Sequence, residues 1–428
     1  VVQALARWGY GALLWTLTPA YLLRLWRRGR MEPAYRERLG ERLGRYEYPA
    51  PQPRRLLWLH AVSLGETRAA APLVAALRAQ RPDLRLLLTT STATGWSAGH
   101  ALLRPGDVHT WLPYDTPGAV RRFLRHHRPV MGVLMETEVW PNLVHIAARE
   151  QVPLVLANAR LSPKSLRQGE RFAWLLRPAA ERFLRVLAQT QDDAQRLRDM
   201  GAPFVEVCGN LKFDITPPKA LLERGQRWRA RLQRPVVLAA STRENEEAPL
   251  LAAWRELPQP RPLLLLVPRH PQRFDEVAGL VAQAGFSGVR RSSWGEGDPP
   301  EEAARADVWL GDSIGEMALY YACADAGLLG GSFEPLGGQN LIEAAACGCP
   351  LVLGPHTFNF AEAAELAVQA RAAMRAADIR QGVVYAATLA IDPQRNGWVD
   401  RALTFASRHR GATERMAERI VGLLPAVL

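Results

Sequence analysis

Glu66 stands in the run HAVSLGET, after a short apolar stretch and ahead of a long Ala/Leu-rich one. A carboxylate between a strand and the helix that follows can take a proton from an attacking hydroxyl. The helix dipole would lower its pKa and leave it a modest base, and a glutamate in a first helical turn is equally a favourable charge. Glu136 and Glu138, in METEVWPN at another strand end, add carboxylates to the same wall. Trp140 of that motif reads either as core or as a wall for the molecule that attacks, with core preferred. Lys212, in CGNLKFD, is one of only three lysines in the chain, with Lys164 and Lys219.

A second group of residues suits an anionic ligand. GGSFEPLGGQNLIEAAACGCPLVLGPHTFNF spans 330–360. Its glycines at 330, 331, 337 and 338 let backbone approach a ligand closely. Asn340, Leu341, Ile342 and Glu343 then open a helix whose amides and dipole favour phosphate, with Glu343 placed to accept from a ribose hydroxyl. A plain loop-to-helix turn with a capping glutamate would look similar. Arg269 and His270 end a strand in VPRHPQRF, where a ligand-binding arginine is expected and a structural histidine. No G-x-x-x-x-G-K-[ST] or G-x-G-x-x-G run occurs, against phosphate-loop NTPase and dinucleotide oxidoreductase chemistry. A D-x-D metal-diphosphate clamp is also missing. No metal or cofactor is expected, and the charge of a leaving phosphate would fall to Arg269, Lys212 and helix amides.

Short apolar runs alternating with helical stretches must carry these loops, which implies parallel sheets with βαβ crossovers. Strands are expected at 56–62, 84–92, 130–137, 152–159 and 204–210, with a helix at 67–80. A second series starts at 235–241 and continues through PLLLLVPRH, VWLGDS, AGLLGGS and PLVLGP. HAVSLGETRAAAPLVAALR and AASTRENEEAPLLAAWREL match in design, each ending a strand in a Ser-containing loop with glutamate before an Ala/Leu-rich helix. The expected domains are 49–216 and 235–428, joined by a linker at 217–234, with their strand C-terminal ends facing one central cleft. The helix near 411–424 is assigned to the second domain and expected to pack across the pair.

Residues 1–48 form a separate region ahead of the Pro-rich link PAPQPRR at 49–55. Trp8 to Leu23 is an uncharged run, shorter than the ~20 residues that span a bilayer comfortably, and Arg24, Arg27, Arg28 and Arg30 follow it. Aromatics within it and arginines after it fit a membrane anchor or an interfacial helix with the body in the cytosol. A helix packed on its own domain is the plainer possibility. The 428 residues are 48% hydrophobic and 22% charged, with net charge +12. That excludes a disordered or polytopic membrane chain. The basic side, nearly all arginine, suits anionic partners. The four cysteines have neither disulfide-framework nor zinc-site spacing and read as small buried residues.

Taken in order, HAVSLGE, TTSTATG, PYDTP, METEVWPN, NARLS, CGNLKFD, AASTRENEE, VPRHPQRF, LGDSIGEM, GGSFEPLGGQNLIEAAACGCP and GPHTFNF resemble the bacterial 3-deoxy-D-manno-octulosonic acid (Kdo) transferases. The resemblance runs to about residue 360. It implies an α/β fold of two Rossmann-like domains in the GT-B arrangement, with CMP-Kdo as donor. It also implies a lipid A precursor as acceptor, at the cytoplasmic face of the inner membrane. Carried across by motif, Glu66 would be the general base, and Glu136 and Lys212 would stabilise the transition state, with Glu138 the neighbouring option. Pro268, Arg269, Ile314, Gly315, Glu316, Asn340, Leu341, Ile342 and Glu343 would contact CMP. The chain departs from the family pattern at Arg243 and Asn245, at Gln339 to Leu341, and at Ile314, where a backbone contact would make the change matter little. Anionic inner-membrane lipid is an implied partner and nucleic acid is not.

Overall fold

The computed structural model describes residues 2–50, 56–295, 297–408 and 410–425. Most of the link expected at 49–55 lies outside them. The chain divides into two compact units, Val1–Asp214 with Arg410–Leu428, and Ile215–His409.

The first unit holds β1 (Leu56–His60), β2 (Arg85–Thr90), β3 (Val108–Trp111), β4 (Met131–Met135), β5 (Leu154–Ala159), β6 (Arg185–Ala188) and β7 (Val205–Val207). They form one parallel sheet in the order β3-β2-β1-β4-β5-β6-β7. β1 and β4 are buried along their whole length, as parallel strands covered on both faces must be. Side chains alternate between the faces. Trp58 packs with Phe123 and Leu134 on one side, while Leu57 and Leu59 meet Leu73, Met416 and Ile420 on the other.

Met416 and Ile420 belong to the last helix, Ala412–Leu423, which the sequence reading assigned to the second domain. It packs instead on the first sheet. Asp214 holds its start, accepting from the amides of Gly411 (2.6 Å) and Thr413. Burial of an apolar face, rather than nearness along the chain, decides where an amphipathic helix docks.

The second unit holds β8 (Val236–Thr242), β9 (Leu263–Pro268), β10 (Gly288–Arg290), β11 (Val308–Leu310), β12 (Ala326–Leu329), β13 (Leu351–Leu353) and β14 (Ala373–Arg375). They make a second parallel sheet, ordered β10-β11-β9-β8-β12-β13-β14. The segment expected as a linker contains a helix, Lys219–Arg231, with Trp228 fully buried. A Cβ on Gly225 would stand 2.3 Å from the Leu319 carbonyl oxygen, so only glycine lets this helix lie against Met317–Cys323.

The N-terminal helix, Val2–Arg28, runs through Pro19. One side is tied to the first unit: the Tyr10 hydroxyl donates to Asp115 (3.0 Å), and Tyr21 stacks on Tyr114 at 4.4 Å. Leu5, Trp8, Leu13, Trp15 and Trp26 are exposed. Among the described residues no helix is long and apolar enough to cross a membrane.

Candidate active site

In each sheet the strand order reverses beside the first strand, between β1 and β4 and between β8 and β12. Loops leaving the C-terminal ends of strands at such a reversal are where open α/β sheets bind ligands. The candidate residues fall into two sets, one per unit, with Glu66, Glu136 and Asn340–Glu343 at the reversals and Lys212 and Ile314–Glu316 on loops after β7 and β11.

In the first unit Glu66 sits in the opening turn of the helix Leu64–Gln80, which follows β1. Ser63 caps that helix, its Oγ accepting from the Glu66 amide at 3.4 Å. The Glu66 carboxylate accepts from the Val62 amide (2.8 Å) and from the Ser63 hydroxyl (3.1 Å). This is close to a capping box, so the side chain has a structural task. It remains half-buried, with lone pairs to spare. Burial pushes its carboxyl upward, and the charges of Glu136 and Glu138 push it further. The Val62 amide and His60 work the other way without reversing the shift. The expectation of a lowered carboxyl is therefore overturned, desolvation being the largest cause of the rise and the two carboxylates adding to it.

Glu136 follows β4 directly with φ +58°, a left-handed conformation that costs a non-glycine residue energy and recurs at functional sites. Its buried carboxylate faces two cations, Arg160 Nε at 2.9 Å and Lys212 Nζ at 3.6 Å. Lys212 lies in a single turn, Leu211–Phe213, begun by Asn210, whose Oδ1 accepts the Lys212 amide at 2.9 Å. The turn is held by side-chain amides from β5 and from the loop after β6. Asn158 Oδ1 accepts from the Leu211 amide (3.1 Å), and Asn210 Nδ2 donates to Gln189 Oε1 (2.8 Å). The structure thus brings Glu66, Glu136 and Lys212 into one electrostatic group at one sheet edge. Arg160 of NARLS joins them; its place just after β5 was the only sequence signal for it.

Glu138 accepts from the Trp140 indole at 2.6 Å and lies 3.5 Å from Nε2 of buried His60. Trp140, for which core is the preferred of two sequence readings, is 37% exposed. Its position immediately before Pro141, the first residue of a helix, leaves it at the sheet rim rather than inside.

In the second unit the Arg269 amide donates to the Thr242 carbonyl (2.9 Å), and its side chain is exposed while Pro268 is buried. Asn340 caps the helix Leu341–Ala346, its Oδ1 accepting from the Ile342 amide at 3.1 Å. Leu341 and Ile342 have buried side chains, so backbone is what they can offer a ligand. Burial pushes the Glu343 carboxyl up, and the nearby Arg269 charge opposes that. Gly331, Gly337 and Gly338 take positive φ.

The loop Ile314–Glu316 follows β11. Ile314 is 80% exposed, and Gly315 has φ +84°. The Glu316 carboxylate is already engaged by Arg291 Nη2 (2.9 Å), Arg224 Nη1 (3.4 Å) and the Ser313 hydroxyl (2.6 Å). Burial works to raise it, but the Ser313 and Arg291 hydrogen bonds and the arginine charges prevail and hold it below the ordinary value. Glu316 therefore braces the loop with its side chain and has its backbone to offer a ligand.

Sequence reasoning missed Glu246. Its buried carboxylate accepts from the amides of Arg243 (2.8 Å), Gly331 (2.7 Å) and Phe333 (3.1 Å), fastening the glycine-rich loop to the end of β8. The matching design of HAVSLGE and STRENEE was the available signal.

A family model described as 3-deoxy-D-manno-octulosonic-acid transferase (kdotransferase) matches residues 37–215. A 3-deoxy-D-manno-octulosonic acid transferase of Bordetella pertussis is 46% identical over 424 residues, covering 96% of this chain and 98% of its own. The Haemophilus influenzae protein of the same name is 36% identical over 369 residues, 85% of each chain. Among solved structures, the UDP-GlcNAc 2-epimerase of Neisseria meningitidis aligns with TM-score 0.53 at 14% identity, over 86% of this chain and 100% of its own. The glycotransferase of kitacinnamycin aligns with TM-score 0.52 at 16% identity, over 87% and 100%. At such identities the likeness is one of fold, the two-domain GT-B class.

Proposed function

The chain belongs to the 3-deoxy-D-manno-octulosonic acid transferase family of glycosyltransferases, and we propose that it moves Kdo from CMP-Kdo to a hydroxyl of a lipid A precursor, with Glu66 as general base. The observation that carries this reading is the set Glu66, Glu136 and Lys212. One half-exposed carboxyl is raised by burial and by neighbouring carboxylates, beside a second carboxylate already held by cations. A base must be reachable and of raised basicity; its neighbour must not compete for the proton.

The reaction is a single in-line displacement. Glu66 takes the proton of the acceptor hydroxyl as that oxygen bonds to the anomeric carbon of Kdo. The bond from that carbon to the phosphate oxygen breaks, and CMP leaves with the electron pair, so the anomeric centre inverts. Lys212 and Arg160 hold Glu136 in place on the acceptor side. In the second unit Arg269 and the amides around Asn340–Glu343 receive the phosphate, Ile314–Glu316 contributes backbone, and Glu343 accepts from the ribose. No step draws on a metal or cofactor. The exposed tryptophans and following arginines of Val2–Arg28 support residence on the anionic cytoplasmic face of the inner membrane, where an acylated, phosphorylated acceptor lies.

The test incubates purified protein with CMP-Kdo and lipid A precursor and weighs the products. The expected result is acceptor heavier by Kdo, with CMP released only when acceptor is present. Unchanged acceptor, CMP release without acceptor, or equal binding of UMP and CMP would overturn the assignment.

A further inference from the structure

Beside the catalytic set lies a second one that the reaction above does not use. His60 ends β1 and is fully buried, and among the described residues its Nε2 has no hydrogen-bond partner. That nitrogen faces Glu138 Oε2 at 3.5 Å. The Trp140 indole N–H donates to the same oxygen. Among the described residues no group donates to Oε1 of Glu138.

The state of His60 follows from its other side. The Trp58 indole donates to Thr89 Oγ1 at 2.8 Å, which leaves the Thr89 hydroxyl its own proton and one lone pair with which to meet His60 Nδ1, 2.9 Å away. A neutral ring that accepts there carries its proton on Nε2. A doubly protonated ring, with Nδ1 donating to the Thr89 carbonyl at 3.1 Å, also has a proton on Nε2. The remaining tautomer would turn a bare lone pair toward a carboxylate in a buried site and is disfavoured. In both favoured states a proton points at Glu138 across a gap slightly too long for a hydrogen bond.

We propose that His60, Glu138 and Trp140 form the subsite for the acceptor's sugar ring. Glu138 Oε1 accepts from a ring hydroxyl next to the one that reacts, and the exposed indole of Trp140 covers the apolar face of the ring. An aromatic wall with a few fixed polar groups is the usual construction of a small-ligand site, and an indole joins an apolar face to a polar handle. His60 is a positioning residue that acts by orienting Glu138. The occupant is the acceptor rather than the donor sugar because Glu66 and Glu138 follow the C-terminal ends of the adjacent, paired strands β1 and β4, with His60 opposite Leu134, and the base must touch the acceptor hydroxyl. This rests on the transfer reading.

The test compares Trp140→Ala, Trp140→Phe, Glu138→Gln, His60→Gln and His60→Leu with the parent protein in two assays. One is steady-state transfer, with acceptor and CMP-Kdo varied separately; the other is equilibrium binding of lipid A precursor in detergent micelles. W140A and E138Q are expected to raise the acceptor KM about tenfold, the scale of one charge-assisted hydrogen bond or its equivalent in packing. Donor KM should hold. W140F should retain most of the affinity. H60Q, which keeps an N–H donor near Nε2, should behave as the parent, and H60L as E138Q. Should H60L fail to fold, as its melting curve would show, W140A and E138Q decide, since both residues sit at the rim. Unchanged acceptor affinity in both, or a rise confined to the donor KM, overturns the subsite. Parent protein that transfers nothing while W140A still weakens lipid binding would sink the transfer reading and leave the sugar site standing.

Discussion

Glu66 and Glu246 occupy similar places after the first strand of each sheet, Glu66 in the opening turn of the next helix and Glu246 immediately ahead of it. Burial raises both carboxyls first and foremost. Their surroundings then part. Glu246 is 2% exposed and accepts from three backbone amides that cannot turn away. Glu66 is half-exposed and accepts from one amide and one rotatable hydroxyl. A raised carboxyl is therefore no mark of a base by itself. One glutamate is committed to holding a loop, while the other keeps a face for a substrate proton.

Substitution should separate them most sharply in turnover. Glu66→Gln keeps the shape and an acceptor oxygen, and transfer is expected to fall ~10²–10⁴-fold, the worth of a positioned base, with CMP affinity unchanged. Single-turnover rates and CMP titration check this. Near-normal turnover would reduce Glu66 to a helix-capping residue. Glu246→Ala should act through the fold. It strands the amides of Arg243, Gly331 and Phe333, costing about 1–3 kcal/mol, which lowers the melting temperature of the second unit by about 5 °C. CMP binding should weaken along with it. A Glu246→Ala protein that melts normally yet transfers nothing would erase the contrast.

The matching design of the two loops was legible in sequence, and so were the long buried strands. The expected segments coincide with β1, β2, β4, β5, β7, β8, β9, β11, β12 and β13. β3 reads VHTW and β6 reads RVLA, four residues each and too short for apolar periodicity to register. β10 and β14 are three-residue edge strands, paired on one side only. Glu66, Glu136 and Lys212 could be named because each follows a strand in a distinctive motif. His60 looked like the end of an apolar run, and Glu246 like one of several acids in RENEE; what they do depends on partners far along the chain. The last helix shows the same limit. Its apolar face says that it packs, and only the fold says on which sheet.

The shift of Glu66 carries a pH signature in turnover that its counterpart lacks. As a base it must be ionised, so the acid limb of kcat/KM is expected above the ordinary glutamate range, and Glu138→Gln should move the limb down by removing a charge that raises it. Stability runs the opposite way. A carboxyl raised on folding favours the native state fully below its ordinary value of 4.5, and that contribution is lost as pH rises through the raised value. Glu66→Gln should therefore melt at or above the parent at pH 8, with the gap closed by pH 4. A parent more stable than the variant at pH 8 would mean that the capping task outweighs desolvation.

The smallest effects should come from the loop after β11, where the expected contact with CMP is made by backbone. Ile314 is 80% exposed, so Ile314→Ala removes little packing, and CMP affinity should stay within about twofold, surface substitutions rarely exceeding half a kcal/mol. Gly315 has open space around the site of a Cβ, yet its φ is +84°. Gly315→Ala therefore tests backbone conformation without steric conflict. Holding alanine there costs about 1–2 kcal/mol, which the loop can avoid by relaxing away from the conformation that presents its amides. CMP affinity should then fall several-fold while the melting temperature barely moves. The reverse order, with Ile314→Ala the more damaging of the two, would assign the contact to the side chain, and the departure from the family pattern at this position would then matter for donor choice.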